Sequence, residues 1–175
     1  MDYKTLAADL VRKTVNKGAD QAEVYIEAGS NLSIEVRNGE VETIEETAAQ
    51  GIGFRVFVNS RMAFASCNDF SGQSLEKAME NAVRMAKVTT RDENNVLTTD
   101  DTVSRVEGLY DSSIPHIPLE KKIGMAKALE KEAMKDSRIT KSAGSRYSDS
   151  TGEIIIANSH GISKSYKSSM CSSGV

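Results

Sequence analysis

The pair Asn38-Gly39 stands between two stretches that suit paired strands, and no other feature of the chain constrains its fold as tightly. A type I′ turn needs positive φ at both central residues, which Asn and Gly tolerate, and its twist matches that of two paired strands. Before the pair, Leu32, Ile34 and Val36 alternate with Ser33, Glu35 and Arg37, the period of a half-buried strand. After it, a polar stretch from about residue 40 to residue 50 returns as the partner. Two strands alone are marginal in water, so this hairpin must belong to a larger sheet.

The flanking sequence supplies one. Ala22, Val24, Ile26 and Ala28 alternate with Glu23, Tyr25 and Glu27 and predict a separate strand before the hairpin. Ile52, Phe54, Val56 and Val58 predict another after it, followed by a turn at Asn59-Ser60 and a short closing strand over 61–66. Short connections of this kind make an antiparallel meander. Residues 2–17 place Leu6, Ala7, Leu10, Val11 and Val15 on one helical face and stop at Gly18. Residues 71–87 carry a continuous stripe of Leu75, Ala78, Met79, Ala82, Val83 and Ala86. The prediction for residues 1–100 is an α+β domain: an antiparallel β-meander flanked by helices that pack on one sheet face.

The remainder, 101–175, reads as the beginning of a second α+β domain. Residues 89–102 are polar and predict a linker. A third helix is expected over 119–135, with Ile123, Ala126, Leu129 and Ala133 inward. From Lys141 to Val175 there are 11 serines, arranged around strand-like segments at 153–157 and 163–173. The chain stops on strand-like sequence with too few partners for that sheet, so the expectation is an N-terminal piece of something longer.

Composition removes several functions. With 22 basic and 25 acidic residues and 5% aromatics, the chain lacks the electrostatic footprint of a nucleic-acid binder. No apolar run approaches the roughly 20 residues of a membrane helix, and the N-terminus has neither the apolar core nor the cleavage site of a secretory signal. A soluble, cytoplasmic chain is expected, with Cys67 and Cys171 as reduced thiols.

Chemistry is hard to find. His116 and His160 have no second ligand at helical spacing, and no His-Glu-x-x-His or Gly-x-Ser-x-Gly pattern occurs. Gly51-x-Gly53 leads into a strand and cannot cradle a phosphate; it allows a bend or close packing. Glu40, Glu42, Glu45 and Glu46 read as a solvated strand face that discourages edge aggregation. The segment from Ser163 to Met170 has little apolar area and many small hydrogen-bonding side chains. It suits either an ordinary exposed edge or a groove where an extended peptide adds as a strand. Ser163, Ser165, Tyr166, Ser168 and Ser169 are the candidate substrate- or dimer-contact residues.

Taken in order, Gly18-Ala-Asp-Gln-Ala-Glu-Val-Tyr25, Leu32 to Glu42, Gly51-Ile-Gly-Phe-Arg-Val56 and Ala65-Ser-Cys-Asn-Asp69 resemble the opening of the TldD/PmbA family. Leu109-Tyr-Asp111, Arg138-Ile-Thr140, Ala157-Asn-Ser-His-Gly161 and Ser165-Tyr-Lys-Ser168 continue the resemblance, which is closer to the PmbA (TldE) branch. The resemblance implies a subunit of a bacterial and archaeal zinc metalloprotease system, historically called modulator of DNA gyrase. Its TldD-like and PmbA-like chains pair to enclose a chamber that trims unfolded peptides, including microcin precursors. It further implies that zinc sits in the C-terminal domain of a TldD-like partner, at a His-Glu-x-x-x-His site for which this chain has no counterpart. No catalytic or metal residue is carried over. The expected role is a non-catalytic N-terminal part, partnered by a TldD-like subunit or a second copy. A stand-alone peptide- or protein-binding module is the alternative.

Overall fold

The computed structural model describes residues 2–104 and 106–175. In chain order the elements are helix α1 (Tyr3–Asn16), strands β1 (Gln21–Arg37), β2 (Glu40–Val58) and β3 (Arg61–Cys67), helices α2 (Gly72–Ala86) and α3 (Leu119–Ala133), and strands β4 (Ser145–Asn158) and β5 (Ser163–Gly174). The strands form an antiparallel sheet in the order β3-β2-β1-β4-β5, so the predicted meander is present and β4 and β5 extend it beyond β1. Two compact units divide the chain, and four of the five strands contribute a segment to each.

The first unit comprises Met1–Ala28, Ala49–Arg105 and Glu153–Tyr166. Asp2 caps α1 by accepting the Lys4 and Thr5 amides at 3.0 and 3.3 Å, satisfying donors that the first turn leaves free. Its inward stripe is Ala7, Leu10, Val11 and Thr14, and the Thr14 hydroxyl, which would otherwise be buried unpaired, donates to the Leu10 carbonyl at 2.7 Å. Ser71 caps α2, whose buried residues are the six that the periodicity predicts. Both helices pack on Ala22, Val24, Ile26, Ile52, Phe54 and Val56 of the sheet. Lys17 ties the helices together through ion pairs to Glu76 and Glu80. Asn59 and Ser60 take φ of 50° and 59°, the type I′ geometry, and set the β2–β3 register from Ile52↔Cys67 to Val58↔Arg61. Gly53 lies under the exposed Phe64 ring, whose tip a Cβ there would meet at 2.6 Å. The polar stretch after α2 is anchored: Leu97 is buried, and its amide donates to Gln21 Oε1 at 2.9 Å.

The second unit comprises Gly29–Ala48, Val106–Gly152 and Lys167–Val175. The hairpin turn is as expected, with Asn38 at φ 54° and Gly39 at φ 77°. Helix α3 latches it: the Glu130 carboxylate accepts the Asn38 and Gly39 amides at 3.1 and 2.7 Å. Those amide bonds hold the Glu130 carboxyl below its ordinary pKa of 4.5, the Gly39 amide acting most strongly. A depressed carboxylate contributes stability that is present above the ordinary value and is lost as pH falls through the folded one. Glu130→Gln should therefore lower Tm at pH 7 and leave it close to that of the unmodified chain in strong acid; a difference independent of pH would show that the latch is not ionic.

The inward face of α3 departs from the sequence reading. Its centre is Lys122, Ala126 and Glu130, while Ile123, Leu129 and Ala133 are only half-buried. Two charged residues occupy the middle of the stripe because each has a partner, Lys122 the buried Asp149 carboxylate and Glu130 the turn amides of Asn38 and Gly39. A second difference lies in the sheet. The two strands predicted over 22–37 are one strand of 17 residues, and β2 runs unbroken for 19. Gly29 is not a turn residue: a Cβ there would meet the Thr151 carbonyl oxygen at 2.7 Å, so glycine permits close approach of β1 and β4.

Candidate functional site

An edge strand presents one row of unpaired N–H and C=O groups, and β5 is such a strand. In the first unit the Ile162 carbonyl accepts the Asn158 amide across the β4–β5 turn at 2.9 Å. Even-numbered residues there face β4, so the odd ones, Ser163 and Ser165, turn their main-chain groups outward. In the second unit the Ser169 amide points outward, again odd. Side chains alternate between sheet faces, so Ser163, Ser165 and Ser169 have one parity and Tyr166 and Ser168 the other. Of the five candidate residues only Ser163, Ser165 and Ser169 thus turn main-chain groups to the open edge, and the five do not form one side-chain surface. Ser163, Ser165 and Tyr166 are exposed and belong to the first unit; Ser168 and Ser169 are half-buried and belong to the second.

Part of that edge already has a partner. The Ser169 amide donates to the Leu109 carbonyl at 2.9 Å, and the Asp111 amide donates to Ser169 Oγ at 2.8 Å. Between them, Tyr110 lies with its ring centroid 5.9 Å from Lys167 Nζ, within cation–π reach. Sequence reasoning identified both Leu109-Tyr-Asp111 and the serine strand but had no means of joining segments 58 positions apart.

A buried polar cluster lies elsewhere in the second unit. Tyr147 and Asp149 project from one face of β4, and Lys122 Nζ approaches Asp149 Oδ2 to 2.5 Å, with only 7% and 8% of the two side chains exposed. Oδ2 accepts no well-directed hydrogen bond. The Cys171 thiol donates to Tyr147 Oη at 3.5 Å. Burial, then the contacts with Cys171 and Asp149, pushes the Tyr147 phenol far above its ordinary pKa and keeps it neutral. Lys122 and Asp149 also border a cavity of about 260 Å³ that reaches Ser30, Leu32 and Ile117. No sequence signal marks this group, because Lys122 and Asp149 are 27 positions apart and each is an ordinary surface residue type.

Among the described residues no group of three His, Cys, Asp or Glu side chains converges on a point where an ion could sit. Glu40, Glu42, Glu45 and Glu46 are exposed along β2, His116 ends a short 3-10 helix (Ile114–His116), and His160 lies in the β4–β5 turn. Also among the described residues, no helix is long and apolar enough to cross a membrane.

Two family descriptions match this arrangement in order: PmbA/TldA metallopeptidase domain 1 over residues 22–86, and the PmbA/TldA metallopeptidase central domain over residues 112–175. The chain belongs to the PmbA/TldD family. It is 30% identical over 167 residues to a metalloprotease PmbA homolog of Haemophilus influenzae, covering 93% of this chain and 37% of that protein. It is 27% identical over 150 residues to metalloprotease PmbA of Escherichia coli O157:H7, covering 85% and 33%. A crystal structure from Bacteroides thetaiotaomicron, provisionally named a modulator of DNA gyrase, superposes with a TM-score of 0.86 at 27% identity, over 99% of this chain and 40% of that one. TldE from Thermococcus kodakarensis shares the fold, with a TM-score of 0.71 at 18% identity, over 93% and 37%. The chain thus spans between 33% and 40% of the length of these PmbA/TldD relatives.

Proposed function

We propose that this chain is the non-catalytic N-terminal part of a TldD/PmbA-type zinc metalloprotease subunit. In this reading it contributes to dimerisation with a TldD-like subunit or a second copy, and it encloses unfolded peptide for proteolytic processing. Zinc and the hydrolytic step belong to the C-terminal domain of a TldD-like chain. The single observation that carries the reading is the serine-rich edge of β5, whose outward main-chain groups at Ser163 and Ser165 match what an extended peptide offers. Small side chains there let a peptide backbone approach without selecting its sequence. The exposed Met62, Phe64 and Tyr166 of the first unit supply apolar area for a neighbouring subunit to cover.

The test uses the full-length subunit with its TldD-like partner. Ser165→Pro removes an amide that no strand of the sheet uses, and proline is tolerated at such an edge position, so the fold should persist. Cleavage of an unstructured peptide by the zinc-loaded pair should fall several-fold, as losing one hydrogen bond of about 0.5–1.5 kcal/mol predicts. Unchanged cleavage in a folded variant rejects strand addition at β5. Peptide binding with no cleavage in any pairing would instead make the chain a stand-alone binding module.

A further inference from the structure

We infer that the edge of β5 around Ser169 is a peptide subsite that the chain fills with its own Leu109-Tyr110-Asp111 segment, and that it favours extended peptides with an aromatic residue at the central position. The inference rests on the strand-addition reading of β5 and adds the preference and self-occupancy of one stretch.

Three contacts define the register. A bound segment must offer a carbonyl to the Ser169 amide, as Leu109 does at 2.9 Å. Two residues later it must offer an amide to Ser169 Oγ, as Asp111 does at 2.8 Å. The residue between them meets Lys167, whose Nζ stands 5.9 Å from the Tyr110 ring centroid. Lys167 and Ser169 share strand parity, so the cation and the hydroxyl lie on the same side of the sheet, where one side chain and one main-chain group can reach both. The acid of Asp111 is no part of this recognition, because its carboxylate accepts the Ser113 amide at 2.8 Å and closes its own turn. An aromatic centre is thus selected and an acidic residue after it is not.

The occupant is built to come off. Leu109 and Tyr110 are 40% and 38% exposed, Gly108 before them takes φ of 76°, and none of the three lies in a helix or strand. An internal segment of this kind lowers the apparent affinity for an incoming peptide by the fraction of time it leaves the edge open.

The experiment measures binding of a synthetic peptide spanning residues 107–113 to the full-length protein. The variant pair Tyr110→Ala and Asp111→Pro removes the cation–π contact and the amide to Ser169 without altering β5. It should bind the peptide about tenfold more tightly than the unmodified protein. A peptide with alanine in place of its tyrosine should lose most of that gain. Amide exchange at Ser169 should be slow in the unmodified protein and fast in the variant. Equal affinity for both proteins, or a fast-exchanging Ser169 amide in the unmodified one, overturns the inference while leaving strand addition at Ser165 standing. If neither protein binds and Ser165→Pro leaves cleavage unchanged, the strand-addition reading itself fails.

Discussion

Lys122→Met alone is expected to cost the second unit about 3–5 kcal/mol, and adding Asp149→Leu should return most of that loss. The asymmetry follows from burial. Lys122 and Asp149 are 7% and 8% exposed and lie 2.5 Å apart, so each charge is desolvated and has the other as its main compensation. Removing the ammonium leaves a buried carboxylate whose Oδ2 accepts no well-directed hydrogen bond to fall back on. Removing both charges leaves an apolar contact between α3 and β4, flanked by Ala126 and the neutral Tyr147 phenol. Urea unfolding of the two single variants and the double variant measures the coupling as a thermodynamic cycle. Strictly additive losses would show that the pair is solvated and carries little. A double variant near wild-type stability would place its worth in specificity of packing, because α3 carries few large apolar side chains to fix its rotation.

That same pair explains what sequence could and could not show. The periodicity identified the buried stripe of α2 residue by residue, the core of that of α1 (though not Thr14) and the β2–β3 hairpin, because their stability is local: a cap, an apolar stripe, a two-residue turn. Asn38-Gly39 was legible for the same reason. On α3 the pattern pointed to Ile123 and Leu129, whereas the buried line runs through Lys122 and Glu130. Charged residues enter a core only with partners, and these partners, Asp149 and the turn amides of Asn38 and Gly39, come from distant segments that periodicity cannot see. The candidate site divides likewise. That β5 is polar and strand-like was legible in its serines. That it is an edge, and that Leu109-Tyr110-Asp111 already lies along part of it, depends on strand order, which no local pattern encodes.

Gly29 in β1 and Gly51 in β2 should respond to alanine with opposite sign. Gly29 lies between the two stretches that suggest separate strands, yet hydrophobic parity never slips from Ala22 to Val36, which a turn of arbitrary length would not preserve. The continuous strand needs Gly29 because the Thr151 carbonyl oxygen lies 2.7 Å from where a Cβ would sit. That atom is backbone in the β1–β4 ladder and cannot swing aside as a side chain would. The neighbouring Ser30 and Thr151 hydroxyls, 3.0 Å apart, fix the spacing further. Gly29→Ala should therefore destabilise the protein by at least the roughly 1–3 kcal/mol of ordinary overpacking. Gly51 in β2 has nothing within 4 Å of its would-be Cβ and no positive φ, so Gly51→Ala should stabilise by about 0.4–1 kcal/mol through the lost freedom of the unfolded chain. Thermal unfolding of the two variants side by side decides the matter. A loss at both positions would mean that glycine serves the strand's twist generally. A gain at both would mean that β1 and β4 can separate at Gly29, and that the long strand is held by its ends, not by close approach at its middle.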